Sequence, residues 1–193
     1  MEDLDRQEIL EDVSFLIQEK QAPQLRAIML DAHPADIADL LVHMGGEHRH
    51  YLFEALDLRT AADAILEVDE STRQALTAMW DERRLAGLVR EMNSDDAADF
   101  VGDLPSELAA KILKQIEPEE SADVRKLLAH EEDTAGGIMA LELVAMPQDS
   151  TVEDAINEIR KKADEIDTIN HVYVVNADRR LVDRFQINIA IEF

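Results

Sequence analysis

The phrase Pro34-Ala-Asp-Ile-Ala-Asp39-Leu-Leu returns sixty residues later as Ser94-Asp-Asp-Ala-Ala-Asp99-Phe-Val. At the same offset Thr60-Ala-Ala-Asp63-Ala-Ile returns as Glu120-Ser-Ala-Asp123-Val-Arg. Asp36, Ala38, Asp39, Glu47, Ala62 and Asp63 recur identically, while Leu52, Phe53 and Leu56 recur as Ile112, Leu113 and Ile116. A short motif, Ala-Asp-apolar, thus stands at Asp39, Asp63, Asp99 and Asp123, spaced 24, 36 and 24. Self-similarity of this kind leaves few folds open, because a short unit buries its apolar face only by stacking on its neighbours. The alanines suit close helix approach. Pro34 and Pro118 sit where a helix would begin, a place that tolerates the missing N–H. The expected fold class is mainly α: a superhelical stack of some ten short helices over residues 4–131. The first helix, 4–20, carries Ile9, Val13, Leu16 and Ile17 at helical spacing. A second follows Pro23 with Leu25, Ile28 and Met29 inside, and Met79, Trp80, Leu85, Leu88 and Val89 read as a buried middle.

The pattern changes near Asp133. Thr134-Ala-Gly136-Gly137-Ile138-Met139 is a break where the glycines allow positive φ or a close approach. Leu143–Met146 reads as a strand ended by Pro147, and Ser150-Thr-Val-Glu153 as a capping box. Val152, Ala155, Ile156 and Ile159 then continue at helical spacing. His171–Val175 is a second strand, Asn176-Ala-Asp178 a turn, and Leu181-Val182 the start of a third strand. This is a small, incomplete α/β unit. The alternation of Phe185, Ile187, Ile189, Ile191 and Phe193 with polar or small residues predicts a terminal strand that must pair with something.

Charge narrows the partners. The chain has 43 acids against 19 Lys and Arg, a net charge of −24. Nucleic acid and anionic lipid both need a basic footprint, so neither is expected; basic partners and cations are. Without cysteine there is no thiolate zinc site and no cysteine nucleophile. No apolar run approaches the roughly 20 residues of a membrane span, and the chain as given reads as soluble. No nucleophile elbow, phosphate loop or EF-hand loop is present, so no catalytic constellation is expected. His43, His48 and His50 read as surface residues.

One helix concentrates the acids. Bounded by Asn93 or Ser94 and by Gly102 and Pro105, it carries Asp95, Asp99 and Asp103 at i, i+4 and i+8, with Asp96 alongside. Like charges at that spacing cost about 0.2–0.5 kcal/mol per pair. The helix dipole accounts for Asp95 and Asp96 in the first turn, but not for Asp99 and Asp103. Two readings stay open: a solvated acidic face, or half of a cation site completed elsewhere.

Three stretches follow these helices in order: Asp133-Thr-Ala-Gly-Gly-Ile-Met139, Val144-Ala-Met-Pro-Gln-Asp-Ser-Thr-Val-Glu-Asp-Ala155, and Val172-Tyr-Val-Val-Asn-Ala-Asp-Arg-Arg-Leu181. Together with the helical stack they resemble the cytoplasmic part of the MgtE family of magnesium transporters and channels, from about residue 25 to 182. The resemblance implies an N-domain (residues 1–131), a partial first CBS motif (132–182) and an unmatched tail (183–193). It implies a homodimer on the cytoplasmic side of the cell membrane, joined to a transmembrane domain of the same protein that is absent here. It implies that regulatory Mg²⁺ binds between acidic faces of the N-domain and CBS domain and favours the closed pore. The family's metal-facing carboxylates map onto Asp95 and Asp99, with Asp96 beside them and Asp63 a further match; backbone oxygen near Gly136 or Gly137 is another. Mg²⁺ needs only one or two carboxylates and keeps its waters, so binding on the order of millimolar is expected. The first CBS motif fades after Val182, where Asp183 stands in place of the family's glycine. The second motif is missing, so no bound nucleotide is expected. The helical half also resembles the middle domain of flagellar rotor switch proteins, whose stacked hairpins assemble into a ring.

Overall fold

The computed structural model describes residues 3–131, 134–162, 166 and 169–187, with side chains from residue 9 onward. Asp133 and the expected strand residues Ile189, Ile191 and Phe193 lie outside them. The chain divides into two compact units, Met1–Ile138 and Met139–Phe193.

The first unit opens with α1 (Asp3–Gln18). Nine helices follow among the described residues: α2 (Ala22–Leu30), α3 (Pro34–His43), α4 (Gly46–Ala55), α5 (Leu58–Glu67), α6 (Glu70–Thr77), α7 (Glu82–Arg90), α8 (Ser94–Gly102), α9 (Ser106–Ile112) and α10 (Pro118–Leu127). Each of the nine begins twelve residues after the one before, from residue 22 to residue 118. The seventh and eighth positions of the inner helices supply the core: Leu40/Leu41, Leu52/Phe53, Ala64/Ile65, Leu76/Thr77, Leu88/Val89, Phe100/Val101 and Ile112/Leu113 are all buried. At the two ends of this array one of the pair is exposed, Ile28 in α2 and Arg125 in α10.

Helices pack mainly on the helix two further along: α2 on α4, α3 on α5, α5 on α7, α7 on α9 and α8 on α10. That is why the Ala-Asp motif recurs at 24 residues. α3 packs on α5 and α8 on α10, and Ala38, Ala61, Ala62, Ala97 and Ala98 on these helices are all buried. A small side chain at such a crossing lets backbones approach.

Short helices have many ends, and each end leaves backbone groups without helical partners. Aspartates supply the N-caps: Asp57, Asp69 and Asp81 accept from the backbone N–H of Thr60 (3.1 Å), Thr72 (3.0 Å) and Arg84 (2.8 Å). Arginines cover the C-terminal carbonyls. Arg49 donates to Leu41 O at 2.6 Å and to Val42 and Met44 O at 3.1 Å. Arg26 donates to Ala55 O (2.8 Å), Arg84 to Glu54 O (3.0 Å) and Arg90 to Gln115 O (3.3 Å).

Trp80, Leu85, Leu88 and Val89 are buried as expected, with Trp80 stacked on Phe53 at 4.3 Å and Arg84 4.1 Å from its ring centroid. Met79 is not core; it is 44% exposed, in the turn after α6. Ile28, expected inside, is 50% exposed, because α2 buries Leu25 and Met29 instead. The glycine pair uses close approach and not positive φ: a Cβ on Gly136 would lie 2.6 Å from the His130 ring, and no described glycine has positive φ.

The second unit is β1 (Val144–Pro147), α11 (Val152–Lys162), β2 (His171–Val175) and β3 (Leu181–Gln186). The sheet order is β1-β2-β3, with β1 parallel and β3 antiparallel to β2. Val144, Met146, Ile159 and Val172 form its core. The capping box is one residue later than expected: Thr151 N–H donates to Asp154 at 2.8 Å and Asp154 N–H to Thr151 Oγ at 3.2 Å. The helix therefore starts at Val152, which is 79% exposed; Ile156 is exposed as well, so Ala155 and Ile159 alone carry the buried side of that stripe. Leu143 precedes the strand. The Asn176 turn forms as expected, its Oδ1 accepting from the N–H of Asp178 and Arg180. β3 continues through Asp183 and Arg184, with a register shift at residue 182: Val174 pairs with Asp183 and Val175 with Leu181.

Ile28 and Leu88 hold the same position in the twelve-residue period but differ in burial. Leu88→Ala is expected to cost about 2–5 kcal/mol in urea unfolding, and Ile28→Ala no more than about 0.5 kcal/mol.

Candidate metal site

α8 turns its small and apolar residues inward: Ser94, Ala97, Ala98, Phe100 and Val101 are buried. The acids therefore fall on the opposite face by helical geometry. Asn93 occupies the N-cap position without a side-chain capping bond. Asp95 and Asp96 lie in the first turn, where the helix N-terminus favours negative charge. Asp95 is half-buried, and its Oδ1 is fully buried with no hydrogen-bond partner.

Asp99 lies one turn on. Its carboxyl is held above the ordinary carboxylate range, first by partial burial, then by the charges of Asp95 and Asp103; Arg73 opposes them. Asp103, the C-cap, sits at the end of the helix that disfavours an anion, and it is paired with Arg73 Nη1 of α6 at 2.9 Å. Sequence reading found no basic residue on α8 and missed this partner thirty residues upstream. The twelve-residue period would have pointed to it, since it places Arg73 two repeats after Arg49, among the carbonyls at the end of α5.

The structure brings together Asp95, Asp99 and Asp103, with Asp96 adjacent. Asp63 is on α5, which packs chiefly on α3 and α7, and it lies 3.8 Å from Arg59. Gly137 closes a turn in which its N–H donates to Thr134 O at 2.9 Å. Among the described residues no three His, Asp or Glu side chains form a cluster able to enclose a metal. What α8 offers is two neighbouring carboxylates, one with an orphaned buried oxygen. That donor set fits Mg²⁺, a hard ion bound through one or two carboxylates while it keeps several waters. In the second unit a cleft of about 350 Å³ is lined by residues including Glu142, Leu143, Ile166, Ile169, His171 and Tyr173; its described lining holds no Lys or Arg to meet a phosphate.

A group whose pKa is raised by folding stabilises the fold in its protonated form, and that contribution is lost as pH rises through the folded value. Asp57 follows the opposite sign: its partial burial is outweighed by hydrogen bonds from Thr60, so its contribution is lost as pH falls. In chelator at neutral pH, Asp99→Asn is expected to stabilise the chain by about 0.4–1 kcal/mol, since it removes two like-charge neighbours. Urea unfolding followed across pH checks this; the gain should shrink as pH falls toward the carboxylate range.

Residues 32–133 match the sequence model of the MgtE intracellular N domain. The magnesium transporter MgtE of Thermus thermophilus is 30% identical over 168 residues, covering 86% of this chain and 37% of that protein. The magnesium transporter MgtE of Bacillus subtilis is 24% identical over 175 residues, covering 91% and 39%. The chain thus spans about two fifths of the length of these relatives. Among solved structures, the soluble part of a magnesium transporter superposes with a TM-score of 0.80 at 26% identity, over 94% of this chain and 72% of that one. The cytosolic domain of the Mg²⁺ channel MgtE in complex with ATP gives 0.84 at 27% identity, over 92% and 73%. With over half of its residues matched by the family's model, the chain belongs to the MgtE intracellular N domain family.

Proposed function

We propose that this chain is the cytosolic regulatory part of a magnesium transporter, and that α8 takes up Mg²⁺ when the ion is plentiful. The observation that carries the reading is the Asp95–Asp99 pair, in which one buried carboxylate oxygen has no partner and the second carboxyl is penalised for its charge. A dication beside the pair relieves both. Asp96 and the backbone oxygen of Gly137 are the next candidates to share the ion's hydration shell, and Asp63 on α5 is a weaker one. Because so few protein ligands are supplied, affinity is on the order of millimolar, which suits a sensor of free cytosolic Mg²⁺ rather than a permanent structural site.

In the full-length protein the same binding event would bias a magnesium pore toward its closed state, with a second copy of the chain and a transmembrane domain as partners. Loss of the ion restores the repulsion on α8 and removes that bias. The energetic link is mass action: a ligand that binds only one state stabilises that state.

At about ten times its dissociation constant, Mg²⁺ should add about 1.4 kcal/mol to folding stability, read as a rise in Tm at constant ionic strength. Asp95→Ala/Asp99→Ala should lose that rise while remaining folded. An equal rise in the double variant, or with a matched monovalent salt, would overturn the reading.

A further inference from the structure

Arg49 and Arg73 occupy the same position in the twelve-residue period, four residues into α4 and α6. Both reach the end of the preceding helix, but not equally. Arg49 makes carbonyl bonds at 2.6, 3.1 and 3.1 Å. Arg73 makes only long ones, 3.4 Å to Leu66 O and 3.5 Å to Val68 O, while its Nη1 lies 2.9 Å from Asp103. Its Nε is buried with no partner. The Arg73 guanidinium thus sits off the carbonyls it is positioned to cover and against the last carboxylate of α8.

We propose that Arg73 is a positioning residue for the cation site: a tethered counter-ion that neutralises Asp103 and leaves Asp95 and Asp99 with the charge of one dication. This rests on the reading of α8 as a Mg²⁺ site. The three carboxylates of the ladder carry three negative charges, and one is matched within the fold. Arg73 keeps its second terminal nitrogen, Nη2, near Leu66 O and Val68 O, and its fixed planar charge cannot be titrated away. Its presence therefore sets how strongly the remaining pair attracts Mg²⁺.

The two halves of the ion pair then act with opposite sign. Arg73→Gln frees a third carboxylate and should tighten Mg²⁺ binding roughly threefold to tenfold, the scale of one unit charge acting on a dication across several ångströms of solvent-exposed protein. Asp103→Asn releases the guanidinium toward Asp99 and should weaken binding by a similar factor. Lys111→Gln breaks an ion pair with Glu82, 2.6 Å long and on other helices, and should leave the affinity within about twofold. Isothermal titration of each variant of the full chain with MgCl₂ at fixed ionic strength reads these shifts, with circular dichroism melts confirming the fold. Opposite shifts in the first two variants, with Lys111→Gln unmoved, support the assignment. If both variants weaken binding, or Lys111→Gln tightens it as much as Arg73→Gln, Arg73 is only structural, even though Asp95→Ala/Asp99→Ala still abolishes binding. Should Arg73→Gln fail to fold, unaltered affinity in Asp103→Asn overturns the proposal by itself. If Asp95→Ala/Asp99→Ala binds like the unaltered chain, the site reading falls and the Arg73 assignment falls with it.

Discussion

The helix ends govern this structure. A stack whose members begin every twelve residues has a start and a stop for every two to three turns of helix. Each start exposes N–H groups and each stop exposes carbonyls, and buried ones are costly unless paired. Aspartates at the N-caps and arginines at the C-termini meet that demand. The consequence reaches the surface. Several of the 19 basic side chains are drawn onto backbone carbonyls, as with Arg26, Arg49 and Arg90, while Arg84 meets both the carbonyl and the carboxylate of Glu54.

On α8 the chain's excess of acids becomes local. The helix must turn Ala97, Ala98, Phe100 and Val101 inward to pack on α10 and α7, which leaves its other face to Asp95, Asp96, Asp99 and Asp103. Two of these profit from the helix N-terminus. Asp99 is repelled by Asp95 and by Asp103, and one arginine from α6 answers Asp103. The fold therefore holds the Asp95–Asp99 pair in an unfavourable arrangement, the one that the proposed dication would relieve. Strain of this size, a fraction of a kcal/mol per pair, suits reversible occupancy.

Much of the fold was legible. Repetition at sixty residues, Pro34 and Pro118 at helix starts, and the strand-helix-strand signals after residue 143 all appear in the structure. The 24-residue spacing of the Ala-Asp motif was visible, but its cause was not: it is the distance between helices that pack on each other, twice an underlying period of twelve. That period hides because its core positions accept Leu, Phe, Ala, Ile and Thr alike, and volume conservation across a helix crossing needs no fixed residue. Met79 and Ile28 were misplaced because an apolar residue in a short helix has no fixed face until its neighbours are known. The capping box slipped by one residue because Ser150-Glu153 and Thr151-Asp154 satisfy the same spacing. At the candidate site the acids themselves could be read from the sequence. Arg73, two helices away, leaves no trace next to α8 in the sequence, and only the hidden twelve-residue period points to it.

The most direct test is to follow the backbone amide resonances of the chain while Mg²⁺ is added at constant ionic strength. The account predicts saturable shifts concentrated on α8 between Ser94 and Asp103 and at Arg73, with the other acidic helices, α3, α5 and α10, nearly unmoved. Shifts spread evenly over every acidic face, growing without saturation, would show that the ion only screens a charged surface and would contradict it.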